Sequence, residues 1–448
     1  MYFMKTFLSV GSARTLQEPV GSMVNITIDK RHDNQKKLQI QEHCRSVRAD
    51  VDLKPYLDSS AHRRELYVFF CPNYFPHVGG VERYTYGLTR ELLKKGKNVL
   101  IITSSMKGTS RYSRDKDGAE IYRIPSVYVL SDRMPLMLPG NHWKKLDRIL
   151  ACYDSVRIVI QTMLYPMSLF ALRYAEKRGY PYTIICHGSN YVCLRDSVVD
   201  KMEHCYEKWM LRQAQKAEAV FFAVSKSGQQ WLEENFGIMT KGVLYNSLDS
   251  QVVESVCSSD TAPLFRGNKM ASDTRIFAFV GRLISEKGIY QLLNAFNRLR
   301  AEGRNIALLV IGDGPEMEHM KKISGDQVFF LGYRSNSDTL SFLRESDCLC
   351  LPSDSEGGMP TVVLEAALCG CYIIVSPYGG SREFISSNRY GYLMEGNSEE
   401  DVYTAMKFFL ENQERCGEVV KACRQHFLTD GFTWENTCKS LMSFFGDV

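Results

Sequence analysis

The fold class this sequence predicts is α/β: two doubly wound, parallel-sheet domains in tandem, preceded by an amino-terminal extension. Three observations predict it. Short uncharged runs such as LYVFF, from Leu66, have the composition of strands covered on both faces. Segments of helical spacing alternate with these runs, which is the pattern of right-handed strand, helix, strand crossovers. The alternation stops between Ser250 and Thr274, where five serines occur without a sustained period, and then starts again.

Taken in order, residues 1–64 are expected to form a poorly ordered extension, of which residues 11–64 carry no convincing period and are rich in Asp, Gln, Lys and Arg. Lys5 followed by Phe7 to Val10 gives a faint likeness to a signal peptide, but the apolar stretch is shorter than the ~7 to 15 residues such a region needs. Residues 65–250 form the first domain. Strand LYVFF is followed by the loop CPNYFPHVGG and by VERYTYGLTRELLKKG, whose Val81, Tyr84, Leu88, Leu92 spacing predicts a helix ending near Gly96. Further strands are expected from Asn98 and at 156–161, 182–186 and 219–224, with helices at 169–178 and 201–214. Residues 251–274 read as a linker. The second domain, 275–432, repeats the architecture with strands at 276–280, 306–311, 328–331, 348–351 and 372–375 and helices at 289–300, 339–345 and 360–368. Residues 433–448 read as a terminal helix with Trp434, Leu441 and Phe444 on its packing face. Two Rossmann-like halves enclose a cleft, and ligands of such sheets bind outside the carboxyl ends of the strands.

Composition narrows the class. With 448 residues, 44% hydrophobic and 24% charged, the chain reads as an ordinary soluble protein of two or three domains. A net charge of +4 gives no polybasic signal for nucleic acid. Fourteen cysteines are scattered, without a Cys-x-x-Cys, as expected of free thiols in a reducing, cytoplasmic setting. No apolar run approaches the ~18 residues needed to span a bilayer. The basic stretch NHWKKLDRIL, with Trp143, Lys144, Lys145 and Arg148, has the composition of an amphipathic helix touching anionic lipid, or of a solvated basic face.

Two segments carry chemistry. In FAFVGRLISEKG the strand ends on Gly281, which delivers Arg282 and Lys287 to the mouth of the sheet, a placement suited to a diphosphate. In EGGMPTVVLEAALCG, Pro360 is expected at the first helical position, the preceding amides and the helix dipole face any bound anion, and Glu365 lies far enough inside to reach a ribose. Asp313 in IGDGPE reads as a turn former. Asp115, Lys116 and Asp117 have the Asp-x-Asp form but read as a hairpin turn ending at Gly118, so no metal site is expected.

GRLISEKG, IGDGPE, FLGY, EGGMPTVVLEAALCG and GGSREFI, in this order, resemble the retaining glycosyltransferases of family 4, which have the GT-B fold and use nucleotide-sugar donors. The likeness runs from about Glu65 to the carboxyl terminus. It implies that Arg282 and Lys287 bind the donor diphosphate and stabilise it as it leaves. It assigns Glu365 to the ribose, and Gly281, Gly358, Met359, Pro360 and Thr361 to the donor turn. Gly79 and Gly80, followed by Glu82, match the family's glycine-rich loop, and His187 in CHGSN matches the histidine near the reacting sugar carbon. The first glutamate of the family's pair is shifted: eight residues separate Glu356 from Glu365 where seven are usual. Either the extra glycine bulges the loop, or Gly357 occupies the glutamate's place.

The resemblance further implies transfer of a sugar from a UDP- or GDP-type donor to a glycan, lipid-linked or small-molecule acceptor, without metal or other cofactor, in polysaccharide or glycoconjugate synthesis. Peripheral contact with the inner face of a membrane stays open, as lipid-linked acceptors occur in this family. Two rival readings are a sugar-nucleotide 2-epimerase, which shares the architecture, and a degenerate homologue that binds nucleotide sugar without turnover.

Overall fold

Alternation along a single strand explains the layering of the first half. In β1 (Glu65–Phe70), Leu66, Val68 and Phe70 enter one core cluster and Tyr67 and Phe69 another, all shielded from water. Successive strand side chains point to opposite faces, so an unbroken apolar run demands cover on both. The computed structural model describes residues 65–129, 134–189, 197–249, 255, 258, 264–266, 270–354 and 358–447. The expected extension at 1–64, most of the expected linker, Glu356 and Gly357 lie outside the described residues.

The first sheet is built from β1, α1 (Gly80–Lys94), β2 (Asn98–Ser104), β3 (Tyr112–Arg114), β4 (Glu120–Ile124), β5 (Ser126–Val129), β6 (Met134–Met137), α2 (His142–Leu150), β7 (Ser155–Gln161), α3 (Pro166–Arg178), β8 (Tyr182–Cys186), α4 (Ser197–Lys216), β9 (Phe221–Ala223), α5 (Lys226–Phe236) and β10 (Gly242–Val243). Its strand order is β10-β9-β8-β7-β1-β2-β4-β3, parallel except for β3, while β5 and β6 form a separate antiparallel pair.

The second sheet follows with β11 (Arg275–Val280), a 3-10 turn at Ser285–Lys287, α6 (Ile289–Ala301), β12 (Ile306–Ile311), α7 (Met317–Ile323), β13 (Val328–Gly332), α8 (Asn336–Glu345), β14 (Cys348–Leu351), α9 (Thr361–Cys369), β15 (Tyr372–Val375), α10 (Ser381–Phe384), β16 (Tyr392–Leu393), α11 (Glu399–Glu411), α12 (Gln413–Asp430) and α13 (Trp434–Phe444). Its order is β13-β12-β11-β14-β15-β16, parallel throughout. In both sheets the chain reverses its direction of travel beside the first strand, so the loops at the carboxyl ends part there and leave room for a ligand.

The hairpin at Asp115 is the one the sequence expects, whereas residues 264–266 and the ring of Trp143 depart from expectation. The hairpin of β3 and β4 turns on Asp115, whose Oδ1 accepts the amides of Asp117, Gly118 and Ala119 at 2.9–3.0 Å, so Asp115 is a turn former. Residues 264–266 dock onto the second domain: Phe265 is buried, and the Glu345 carboxylate accepts the amides of Leu264, Phe265 and Arg266. The aromatic ring of the basic helix α2 is engaged internally. Trp143 packs edge-on against Phe170 and Tyr174 of α3, and the Lys177 ammonium lies over it at 5.4 Å.

Helix α13 returns to the first domain. A Cβ at Gly87 of α1 would lie 2.1 Å from the Trp434 ring, so only glycine admits the indole there. Leu441 is fully buried in the cluster containing Tyr67 and Phe69, and Phe444 meets Phe222 edge-on. Leu248 and Thr433 form a bridge, which brings the exit from the first domain beside the start of this helix.

Candidate active site

Glycines set the donor-side loops. Residue Gly312 has φ +141°, and a Cβ there would lie 1.8 Å from the Gly281 carbonyl oxygen. The two strand ends are thereby pressed together, with Gly281 donating to Ile311 O and Leu283 to Asp313 O. Asp313 itself accepts the Gly314 amide at 2.7 Å, the turn-forming role expected of it. Gly288, at φ +68°, lets the end of the 3-10 turn approach Pro352, whose carbonyl oxygen would lie 2.0 Å from an added Cβ. The Asp354 amide donates to Glu286 O at 3.0 Å. These contacts clamp the loop bearing exposed Arg282 and half-buried Lys287 against the segment that follows β14.

That segment leads into α9. The structure makes Pro360 the N-cap, with extended backbone, and Thr361 the first helical residue, one position later than the spacing suggested. Proline fits either place because neither requires its missing amide hydrogen. Val363 donates to Pro360 O, tightening the first turn. The side chain of Met359 is 1% exposed, so any contact it makes in the cleft runs through its backbone, and its carbonyl accepts from Asn246 at 3.0 Å. Gly380 packs against this turn, donating to Gly358 O, and a Cβ on it would lie 2.6 Å from the Met359 nitrogen.

Glu365 is buried in α9, and Asn336 donates to its Oε1 at 3.0 Å. Burial raises the carboxyl's pKa, while the Asn336 hydrogen bond and the positive charge of Arg83 pull the other way. Arg83 belongs to the first domain, immediately after the glycine-rich loop, so that loop contributes a cation to the field around Glu365. Sequence reasoning named neither Asn336 nor Arg83. Arg83 could have been found from its place in VGGVER.

On the first-domain side, Gly79 is the N-cap of α1 and Gly80 its first residue. A Cβ at Gly79 would lie 2.4 Å from Glu82 Oε2, and Glu82, buried in the first turn, pairs with His77 Nδ1 at 2.9 Å. At Gly80 a Cβ would meet nothing within 4 Å, which leaves open space beside the backbone. His187 follows β8. Its Nε2 is 2.6 Å from Gln161 Oε1, and its ring stands edge-on to Tyr84 at 4.7 Å. Tyr84 in turn donates to Leu244 O and meets Trp434 at 5.2 Å. With Gln161 Oε1 as acceptor, His187 carries its proton on Nε2 and offers Nδ1 as an acceptor.

Burial pushes the His187 pKa down to about 3. A base whose pKa falls on folding contributes stability above its unfolded value and loses it as pH drops toward the folded value. Acidification from pH 7 to 5 should therefore cost wild type about 1 to 2 kcal/mol more than His187→Gln, a difference readable in urea melts at the two pH values. The rate profile should show no limb from this imidazole near neutrality.

The two halves of the cleft are tied across it. Glu383 of α10 accepts the amides of Lys226 and Ser227, at 2.8 and 3.0 Å, at the amino terminus of α5, where a carboxylate also meets the helix dipole favourably. Asn246 bonds Met359 O, and a Cβ on Gly358 would touch Val224 at 3.0 Å. Arg282, Lys287, Gly358, Thr361, Glu365, Gly79, Gly80 and His187 thus all stand on carboxyl-edge loops or the helices they open. A cavity of about 450 Å³ lined by Arg344, Asp347 and Tyr372 lies at the opposite, amino edge of the second sheet, away from these loops.

Residues 78–251 match the family Glycosyltransferase Family 4, and residues 260–426 match Glycosyl transferases group 1. The chain is 23% identical over 394 residues to an uncharacterized glycosyltransferase of Methanocaldococcus jannaschii, covering 85% of this chain and 98% of that protein. It is 26% identical over 176 residues to a GDP-mannose-dependent alpha-(1-6)-phosphatidylinositol monomannoside mannosyltransferase of Mycobacterium tuberculosis, covering 37% of this chain and 46% of that one. Among solved structures, Anabaena HepE in complex with UDP-glucose superposes with a TM-score of 0.64 at 15% identity, covering 86% of this chain and all of the other. A glycosyltransferase from Rickettsia africae gives a TM-score of 0.63 at 16% identity, over 86% of this chain and 98% of that one. Two end-to-end family matches, the two parallel sheets and these relatives establish that the chain belongs to the family 4, group 1 glycosyltransferases and has the GT-B fold.

Proposed function

We propose that this glycosyltransferase moves a sugar, with retention of anomeric configuration, from a UDP- or GDP-sugar to a glycan, lipid-linked or small-molecule acceptor. The observation that carries the reading is the clamped loop that places Arg282 and Lys287 beside the segment leading into α9. Breaking a glycosyl phosphate bond builds positive charge on the sugar and negative charge on the departing diphosphate. One guanidinium and one ammonium group, with the first-turn amides of a helix, are preorganised donors for that negative charge. They neutralise it without a metal ion.

The leaving phosphate oxygen then takes the proton of the acceptor hydroxyl on the same face. His187, neutral and anchored by Gln161, orients the acceptor rather than acting as the base. Glu365 holds the ribose hydroxyls. The UDP-glucose bound by Anabaena HepE and the GDP-mannose named for the mycobacterial relative support the two donor classes. Among the described residues no helix is long and apolar enough to cross a membrane.

Purified protein is to be screened by thermal shift and by hydrolysis against UDP, GDP, ADP and their sugars, with and without EDTA. Stabilisation by a UDP or GDP sugar, and slow hydrolysis that persists in EDTA, are expected. Failure of every nucleotide sugar to bind or react overturns the reading. An epimerised free sugar released without acceptor would assign an isomerase instead.

A further inference from the structure

The outer face of α4 is unlike that of an ordinary solvated helix. Lys201, Lys208, Arg212 and Lys216 are exposed along one side, and Met202 and Trp209, at 48% and 45% exposure, form the adjoining stripe two turns apart. Tyr206 stacks on Trp209 at 6.1 Å and holds the indole in place. The two glutamates of this span face inward: both carboxylate oxygens of Glu203 and one of Glu207 are shielded from water. Met210, Leu211 and Ala214 continue that inward stripe into the core.

Solvated helices usually intersperse charges of both signs. Here the outward face from Lys201 to Lys216 carries one sign only, beside a large aromatic and a methionine, which is the composition of a helix lying in the headgroup layer of a bilayer. On one side of α4 the neighbouring helices extend the same field, while on the other α5 exposes Glu233 and Glu234 beside Lys226. Helices α2 and α3 cover the same face of the sheet, and they expose Lys144, Arg148, Arg173 and Lys177 against one exposed carboxylate, Glu176. A second copy of the chain is a poor occupant, since a two-fold contact would set this cationic face against itself. Nucleic acid would use the cations and leave Met202 and Trp209 without a role.

We propose that the outer face of α4, with Trp209 and Met202 as its apolar contacts, docks on an anionic phospholipid surface. Helix α4 is the element after the His187 loop, so its amino-terminal end stands at the carboxyl edge of the first sheet, on the acceptor side of the cleft. The inference takes up the peripheral contact that the sequence leaves open and depends on the acceptor being lipid-linked only for its use. Vesicle binding itself requires no turnover.

The test is co-sedimentation of the full chain with vesicles of phosphatidylcholine alone or mixed with phosphatidylglycerol. Binding to the mixed vesicles only, weakened by salt, is expected. Each cation near such a surface contributes about fivefold in partitioning, so Lys201→Glu with Arg212→Glu should lower binding at least about 25-fold. Trp209→Ser should lower it severalfold, and brominated lipid should quench tryptophan emission in wild type but not in Trp209→Phe. Retained melting temperature and nucleotide-sugar stabilisation show that the variants fold. Equal binding to both vesicle types, no binding, or variants that bind like wild type would overturn the proposal. So would self-association by light scattering, or nucleic-acid binding without vesicle binding, that the same substitutions abolish.

Discussion

Arg282→Ala should lower kcat/KM for the nucleotide-sugar donor by ~10² to 10³, the usual cost of removing one preorganised donor from a developing anion. Lys287→Ala should do the same, and the double variant should fall short of the product of the two, because both cations face one diphosphate. The reasoning is electrostatic. Charge accumulates on the diphosphate as the glycosyl bond breaks, so a cation fixed nearby gains more in the transition state than in the ground state. The loss should therefore appear in kcat as well as in KM. Arg282 is exposed and Lys287 half-buried on a loop, so neither substitution opens a cavity and the melting temperature should stay near that of wild type. Arg282→Lys should recover only part of the rate, because an ammonium cannot reproduce the planar fork of a guanidinium. Steady-state kinetics with the donor found in the nucleotide screen, together with melts of each variant, decides the matter.

The second large effect is on folding. Gly312→Ala should destabilise the protein by about 3 to 5 kcal/mol, since it combines a disfavoured backbone conformation with a steric clash. At φ +141° any side chain is strained, and here its Cβ would lie 1.8 Å from the Gly281 carbonyl oxygen, a backbone atom that cannot step aside. Gly303→Ala is the internal control. Its φ is also positive, at +83°, but an added Cβ meets nothing within 4 Å, so the expected cost is about 1 kcal/mol. Urea denaturation of both variants separates clash from strain. If Gly312→Ala relieves the clash by moving the Gly281 loop, the folded fraction should show weakened nucleotide stabilisation, because Arg282 is the next residue.

Much of the architecture was legible because the strands of a parallel sheet announce themselves. LYVFF and the runs at 276–280 and 306–311 are uncharged, and each lies where the sequence placed it to within a residue or two. The strands β3, β4, β5 and β6 were not legible. They are short, three to five residues each, and YSR and EIYRI carry charges; β4 is nonetheless an inner strand, between β2 and β3, whose buried Glu120 and Arg123 are bonded to Arg114 and Ser113. Helices α11 and α12 lie outside the sequence expectations although α11 opens on a local signal, the capping box of Ser398 and Asp401. For Trp143, composition left lipid contact and a solvated basic face both open, whereas the ring is spent on Phe170 and Tyr174; amphipathic spacing alone does not say which neighbour a ring will meet.

In the site, the donor loops were readable because their glycines, cations and helix start are contiguous in the chain. The contacts that close the cleft were not. Glu383 reaches the amides of Lys226 and Ser227, and Asn246 reaches Met359 O, across more than a hundred residues, and no period or local propensity encodes such pairs. Pro360 was misplaced by one residue because proline suits both the cap and the first turn. Gln161, which fixes the His187 tautomer, ends a strand otherwise indistinguishable from its neighbours.

Where the diphosphate binds decides the role of the two cations, and a crystal of the protein with bound UDP or GDP is the most direct test. Both phosphates are expected within hydrogen-bonding reach of the Arg282 and Lys287 side chains, at the amino terminus of α9, with the ribose against Glu365. A diphosphate bound elsewhere, with Arg282 and Lys287 left in solvent, would contradict that role.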